Sequence, residues 1–243
     1  MTPLIMAQHL IEIDGIVKNF GLNPVLRGVN LTLPQGQFLA LVGANGAGKT
    51  TLLRIVATLS RPSAGEVRLG GWRLPGQASR VRRHIGLISH QPLLYGDLTA
   101  ADNLHFFARL YHLPDSEERV SRALQSVGLS ARRRDPVRTF SRGMAQRLAI
   151  ARATLHDPEI LLLDEPYTGL DQEASHILTQ LLAQEKDAGK TILMITHDFA
   201  RGLELCDRVA ILSRGKIALE IDRALMSLPE LLTTYQRVTG VDK

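Results

Sequence analysis

Gly43-Ala44-Asn45-Gly46-Ala47-Gly48-Lys49-Thr50 directly follows the apolar run at residues 38–42 and determines how the rest of the chain is interpreted. Its spacing predicts a phosphate-binding loop, because glycines let backbone N–H groups approach phosphate oxygens without a Cβ in the way. A helix predicted over residues 49–58 would point its free N–H groups at the same phosphates. We expect Lys49 to reach the β- and γ-phosphates and the Thr50 hydroxyl to ligate Mg²⁺. The alternative is a glycine-rich turn that holds no ligand.

The length of 243 residues indicates one large α/β domain, or one domain that carries a subdomain. The single cysteine, Cys206, excludes an internal disulfide and is typical of a reducing compartment. No apolar stretch approaches the roughly 20 residues that span a bilayer, and the N-terminus has no signal-peptide pattern. We therefore expect a cytoplasmic protein, with any peripheral attachment to the membrane supplied by a partner.

The formal net charge is +5. A positive charge of this size is compatible with binding to nucleic acid, with binding to an anionic membrane face, or with a nucleotide-binding protein that has an excess of arginine. The basic residues form short clusters at 80–83 and 132–134. No aromatic residues interleave with these clusters, as a surface that stacks bases would require. We therefore expect no direct nucleic-acid binding.

The order of the predicted elements indicates an α/β fold with a P-loop NTPase core, that is, a mainly parallel sheet with helices on both faces. Strands predicted at residues 9–17 and 29–33 precede the phosphate loop and form an antiparallel β subdomain. Helical spacing dominates residues 93–153, which we interpret as an inserted helical subdomain. The run Ile160-Leu161-Leu162-Leu163 suits a central parallel strand. The predicted division is a tail at 1–8, a domain at 9–220 and a C-terminal helical extension at 221–243.

Two adjacent carboxylates, Asp164 and Glu165, follow this second apolar strand at the edge where ligands gather in open parallel sheets. An aspartate at that position can hold Mg²⁺, usually through water. The neighbouring Glu165 can polarise the water that attacks the γ-phosphate, which makes it the candidate catalytic base. The alternative is a solvated strand end without catalytic function.

Six motifs resemble those of ATP-binding-cassette (ABC) ATPases in order and spacing, over about residues 9–220. The serine-glycine signature discriminates best, because other phosphate-loop proteins lack it. The six are the phosphate loop, Gln91, Ser141-Arg142-Gly143-Met144, Leu163-Asp164-Glu165-Pro166, Gly169-Leu170-Asp171 and His197.

The resemblance implies a role for two residues outside the phosphate loop and the carboxylate pair. Phe20 takes the position of the aromatic side chain that stacks on adenine, and its alternative is a core residue near a turn. Gln91 matches the glutamine that contacts Mg²⁺ or water and relays the nucleotide state to the helical subdomain; taken alone, it would be a surface amide. The implied nucleotide contacts of the loop are Gly43, Ala44, Asn45, Gly46, Ala47, Gly48, Lys49, Thr50 and Thr51.

The remaining motifs imply contacts between two subunits. Ser141 and Gly143 match the signature that binds the γ-phosphate of ATP held by the opposite subunit, and Asp171 matches the aspartate that crosses the dimer interface. Read alone, Ser141 and Asp171 are helix N-caps, and both roles are compatible. His197 matches the histidine that contacts the γ-phosphate, whereas a lone histidine is usually structural. The resemblance therefore implies a homodimer with two ATP molecules and Mg²⁺ at its interface.

The chain departs from the family pattern in three places, which are the signature, the phosphate loop and the adenine-stacking position. Arg142 and Met144 replace a glycine and a glutamine in the common signature Leu-Ser-Gly-Gly-Gln. Ala44 stands where proline is frequent, and Phe20 stands where tyrosine is common. Because Ser141 and Gly143 remain, ATPase activity is still expected.

The family resemblance also implies integral membrane permease subunits as partners, gripped by the helical subdomain with Gln91 as hinge. Residues 89–99, 103–106 and 137–144 look like the ATP-binding subunit of the haem exporter of cytochrome c biogenesis. Subunits of drug and polysaccharide exporters are similar and are the alternative.

Two other classes of function remain as alternatives. DNA-repair or chromosome-organising ATPases insert a long coiled coil between phosphate loop and signature, and the 92 residues from Lys49 to Ser141 leave no room for one. A non-catalytic scaffold would be expected to lack Glu165.

Overall fold

The computed structural model of the chain describes residues 9–89 and 91–240, with only the backbone of residues 200 and 201. The tail predicted at residues 1–8 lies outside the described residues. Within the described ranges, no helix has both the length and the apolar character needed to cross a bilayer.

Ten strands form two sheets in the described part of the chain. The strands are β1 (His9–Phe20), β2 (Asn23–Pro34), β3 (Phe38–Val42), β4 (Ala64–Leu69), β5 (Trp72–Leu74), β6 (Ile85–Ile88), β7 (Ile160–Asp164), β8 (Thr191–Ile195), β9 (Arg208–Ser213) and β10 (Lys216–Asp222). The smaller sheet is antiparallel and has the order β2-β1-β4-β5. The larger sheet has the order β10-β9-β3-β8-β7-β6 and is parallel except for the edge strand β10.

Eight α-helices connect or cover these strands in the described residues. They are α1 (Lys49–Val56), α2 (Ala78–Val81), α3 (Ala100–Leu110), α4 (Ser116–Ser126), α5 (Arg142–Thr154), α6 (Gln172–Asp187), α7 (Phe199–Gly202) and α8 (Leu228–Thr239). Helices α3, α4 and α5 occupy the segment for which a helical subdomain is predicted, and α8 lies in the predicted C-terminal extension.

The central strand β3 contributes to two hydrophobic cores because successive side chains of a strand point to opposite faces. Phe38, Ala40 and Val42 pack into the core that includes α3–α6 and α8. Leu39 and Leu41 pack into the core between the two sheets, which includes α1. All five residues are buried, and this explains why the run is apolar without alternation.

Several element ends differ from their predicted positions. Strands β1 and β2 extend beyond residues 9–17 and 29–33, because their pairing continues to Phe20 opposite Asn23. Helix α1 ends at Val56 rather than at residue 58, where Thr58 has a positive φ of 63°. Strand β5 and helix α2 are absent from the prediction, since three and four residues are too short to show a periodic pattern.

Candidate nucleotide site

The phosphate loop joins β3 to α1, as its sequence predicts. Gly46 and Gly48 have φ angles of 78° and 106°, which favour glycine. A Cβ at Gly48 would lie 2.7 Å from Leu26 Cδ2, and a Cβ at Gly43 would overlap the carbonyl oxygen of Leu212. Glycine is therefore required at 43 and 48 by neighbouring strands as well as by the loop conformation.

The remaining residues of the phosphate loop differ in exposure. Asn45 is exposed and Ala47 is buried, with its N–H donating to the Ala44 carbonyl at 3.1 Å. Thr51 lies in the first turn of α1. Since the free N–H groups of this turn face the loop, the arrangement suits a bound phosphate chain.

Lys49 lies inside the loop, where its Nζ donates to the carbonyls of Gly43 at 2.7 Å and Ala44 at 3.1 Å. Only 8% of the residue is exposed. Burial lowers the pKa of the ammonium group, while the charges of Glu165 and Asp164 oppose that change. The lysine is therefore held in position for a phosphate by the loop and by two carboxylates.

Three oxygen-bearing side chains converge beside the loop. The Thr50 hydroxyl donates to Asp164 Oδ1 at 3.2 Å, and Asp164 is the buried last residue of β7. Gln91 lines a cavity of about 340 Å³ together with Thr50 and Asp164. A hydroxyl, a carboxylate and an amide oxygen fit the ligand preference of Mg²⁺, which also keeps several waters. The described residues contain no group of three or more His, Cys, Asp and Glu side chains arranged to hold a metal ion.

Glu165 and His197 form a pair next to this cluster. The Glu165 carboxylate Oε2 accepts the backbone N–H of His197 at 3.2 Å and lies 2.7 Å from His197 Nδ1. The Glu165 backbone has a φ of 52°, and its N–H donates to the Ile195 carbonyl at the end of β8. The structure thus brings together a carboxylate and a histidine that the sequence separates by 32 residues.

Phe20 lies at the tip of the β1–β2 hairpin and is 56% exposed, so the core alternative for this residue is wrong. Lys18 Nζ lies 5.0 Å from the ring centroid. Val25 and Leu26 of the same hairpin lie next to Gly48 of the phosphate loop. An exposed aromatic ring on the strand pair that packs against the phosphate loop is available for stacking on a base.

The signature residues lie at the beginning of α5 and are not part of the group beside the phosphate loop. Ser141 is the N-cap of this helix, and its hydroxyl accepts the Met144 N–H at 3.2 Å. Asp171 is the N-cap of α6 and accepts the Ala174 N–H at 2.8 Å. A Cβ at Gly143 would lie 3.9 Å from Asp171 Oδ2, so the two helix beginnings are neighbours. Among the described residues, no hydrogen bond or ion pair joins residues 141–143 to the phosphate loop.

A second cavity, of about 410 Å³, lies between the beginning of α5 and the carboxylate pair. Gln91 and Glu165 both line it, and Gln91 also lines the cavity that contains Thr50 and Asp164. The full lining is Gln91, Pro92, Arg142, Ala145, Gln146, Glu165 and Thr168.

Two residues that no sequence motif indicates, Gln146 and Arg152, connect α5 to the segments next to Glu165 and Gln91. Gln146 Nε2 donates to the Pro166 carbonyl at 3.3 Å, immediately after Glu165. Arg152 Nη2 donates to the Leu87 carbonyl at 2.6 Å, shortly before Gln91. A polar residue among the apolar positions of a predicted buried helix was the available signal, because buried polar groups need partners.

The comparison with known families matches this geometry. A family model described as ABC transporter matches residues 26–168, more than half of the chain. The chain therefore belongs to the ABC transporter family, as an ATP-binding subunit. Nod factor export ATP-binding protein I of Ralstonia nicotianae is 36% identical over 216 residues, which are 88% of this chain and 67% of that protein. ABC transporter ATP-binding protein NatA of Bacillus subtilis is 40% identical over 195 residues, which are 79% of each protein.

Solved structures confirm the predicted α/β P-loop fold. A structure of an ATP binding subunit of an ABC transporter matches with a TM-score of 0.85 and 31% identity, over 93% of this chain and 99% of that chain. The dimeric structure of an ATP-binding cassette in a post-hydrolysis state, bound to ADP and Pi, matches with a TM-score of 0.81 and 27% identity. This second match covers 88% of this chain and 98% of that chain.

Proposed function

We propose that the chain is the ATP-hydrolysing subunit of an ABC transporter and that it acts as a homodimer on the cytoplasmic face of a membrane. Family membership implies ATP binding and hydrolysis. The observation that carries the catalytic assignment is the pairing of Glu165 with His197 beside Thr50 and Asp164. This arrangement supplies a base, a metal site and a phosphate loop at one sheet edge.

In this mechanism the loop N–H groups and Lys49 bind the β- and γ-phosphates. Thr50, Gln91 and Asp164 would hold Mg²⁺, which neutralises phosphate charge when it is bound. Glu165 orients and deprotonates the attacking water, and His197 holds the Glu165 carboxylate and contacts the γ-phosphate. ADP and inorganic phosphate are the products.

The dimer supplies what one chain lacks. Ser141 and Gly143 would bind the γ-phosphate on the partner subunit, and Asp171 would contact the partner's phosphate loop. Phe20 would stack on adenine within its own subunit. The separation of the signature from the phosphate loop in one chain supports this proposal, as does the dimeric relative with bound ADP and Pi.

A membrane permease is the proposed partner, and the helical segment at residues 93–153 is the proposed contact surface. No helix of the described residues spans a bilayer, so attachment would depend on that partner. The proposed division keeps residues 9–220 as the ATPase domain. We propose no direct contact with nucleic acid.

The cargo predicted from the sequence is haem, from the resemblance at residues 89–99, 103–106 and 137–144. A relative of this chain is named for export of Nod factor instead, and the comparisons therefore support an ABC transporter subunit without supporting haem as the cargo. Purification of tagged Glu165→Gln protein from its own membranes with ATP distinguishes these cases. Cytochrome c biogenesis proteins in the eluate would support haem, a different permease would replace that cargo, and the absence of any membrane protein would contradict the transport proposal.

The Glu165→Gln variant also tests the mechanism. The amide has nearly the shape of the carboxylate but cannot accept a proton, so the variant should bind ATP, lose turnover and accumulate as a dimer. Steady-state phosphate release and light scattering measure the two effects. Glu204→Gln, an exposed change of the same type, serves as control and should behave as wild type. Wild-type turnover by Glu165→Gln would remove Glu165 from the role of base.

A further inference from the structure

Two segments that would face the partner subunit lie side by side in this chain. We call residues 141–143 the signature segment and residues 169–171 the crossing loop. A Cβ at Gly143 would lie 3.6 Å from Ala174 Cβ and 3.9 Å from Asp171 Oδ2. The end of the crossing loop therefore touches the signature segment within one subunit.

Arg142 makes a closer contact between the same segments. A Cβ at Gly169 would lie 2.5 Å from Arg142 Nε and 2.6 Å from Arg142 Cζ, which shows that the guanidinium group rests on the glycine. Gly169 has a φ of 77°, a conformation that favours glycine. The guanidinium group of Arg142 therefore occupies the space that a side chain at residue 169 would take.

Helix stability does not explain an arginine at this position. Arg142 is the first residue of α5, where the positive end of the helix dipole disfavours a cation. Among residues 9–89 and 91–240, no carboxylate lies within salt-bridge distance of Arg142. The contacts of Arg142 that the structure shows are its packing on Gly169 and its place in the lining of the cavity that Glu165 and Gln91 also line.

We propose that Arg142 is a positioning residue that ties the signature segment to the crossing loop of its own subunit. This inference rests on the proposed function, because both segments matter only if they meet the ATP site of a partner. With the tie in place, the two segments reach the partner in a fixed arrangement, which lowers the entropy lost on dimer formation. Arg142 acts through Gly169 and does not bind the partner's phosphates.

The test is a double-mutant cycle in the Glu165→Gln background, read as the ATP concentration at half-maximal dimer formation. Arg142→Ala should raise this concentration roughly tenfold, within the range measured for residues in contact. Gly169→Ala should raise it strongly when Arg142 is present, because the new methyl displaces the guanidinium. In the Arg142→Ala background the same change should have a clearly smaller effect, leaving only the strain of a positive φ. Arg134→Ala removes an exposed arginine from the same helical segment and should change nothing.

Two further measurements distinguish a positioning role of Arg142 from other roles. ATP affinity of the monomer and the melting temperature should stay unchanged in Arg142→Ala, which a merely destabilising change would not allow. If Arg142→Ala has no effect on dimer formation, or if the effects of Arg142→Ala and Gly169→Ala are additive, the inference is wrong. If the parent Glu165→Gln protein forms no ATP-dependent dimer, the proposed function fails first, and that result is distinct from an additive cycle.

Discussion

Lys49 is the residue on which nucleotide affinity should depend most directly. Its ammonium group is buried, and it donates to two loop carbonyls that a phosphate oxygen can replace. Lys49→Ala should lower ATP affinity by roughly ten- to a hundredfold, because a hydrogen bond to a charged group is worth about 1.5–3 kcal/mol. Titration with a fluorescent ATP analogue measures this loss. Lys216→Ala, an exposed change on β10, should bind as wild type; equal binding by both variants would contradict the proposed site.

His156 is a buried titratable residue that the proposed mechanism does not use. Its ring stacks on Tyr111 with centroids 3.9 Å apart, and its Nε2 donates to the Ile85 carbonyl at 3.1 Å. In the described residues, Nδ1 has no hydrogen-bond partner. Burial lowers the pKa of His156 to about 4, with the nearby Arg152 charge acting in the same direction.

This histidine should make the fold sensitive to acid. The unfolded chain takes up the proton near pH 6.5 and the folded chain only near pH 4, so stability falls as the pH drops between these values. At about 1.4 kcal/mol for each pKa unit, the loss attributable to His156 is roughly 3 kcal/mol. His156→Phe keeps a ring against Tyr111 and should show a smaller decrease in the free energy of unfolding between pH 7 and pH 4. Urea unfolding at both pH values measures it, and equal decreases in both proteins would contradict the assignment.

At the scale of helices and strands, the sequence predicted those elements in which buried and exposed residues follow one regular pattern along the chain. The runs that became β3 and β7 were recognised because both faces of the central sheet are covered. The hairpin of β1 and β2 was predicted too short, since its outer half is exposed and has little apolar alternation. Cross-strand pairing, which sequence analysis cannot measure, sets its length.

Helix α8 carries a complete capping box that sequence analysis did not identify. The Ser227 hydroxyl accepts the Glu230 N–H, and the Glu230 carboxylate accepts the Ser227 N–H. Ser227→Ala should destabilise the helix by about 1 kcal/mol, because it removes the N-cap acceptor. Hydrogen exchange should show faster exchange confined to the first turns of α8. Ser227→Asp retains a hydrogen-bond acceptor and should show exchange rates close to those of the wild type. Wild-type exchange rates in Ser227→Ala would show that the cap does not stabilise α8.

For the whole molecule, the decisive property is whether each ATP site uses two chains. Lys49→Ala and a Gly143→Asp variant should each be inactive alone. In a mixed head-to-tail dimer, one site combines both defects and the other is intact. Mixing equal amounts should therefore restore about a quarter of wild-type activity if dimers form at random and sites act independently. Phosphate release after mixing measures it, and no recovery at any ratio would indicate sites built within one chain.

The residues of the candidate site could be predicted only where a sequence motif fixes both the residue type and its distance along the chain from other motif residues. The motifs pointed to Thr50, Asp164, Glu165 and His197, which the fold brings into contact in two pairs. The contact of Arg142 with Gly169 has no such signal. It depends on how two helix beginnings meet in space, and that follows from packing of the whole helical layer.

Glu165 is the proposed base, and its backbone has an unfavourable φ angle. A φ of 52° at a residue with a side chain costs about 1–2 kcal/mol relative to glycine. Glycine at this position would relieve that strain and remove the proposed base together. Selection for heat resistance alone would therefore work against turnover at this position. An unstrained backbone and the proposed base therefore exclude each other at residue 165.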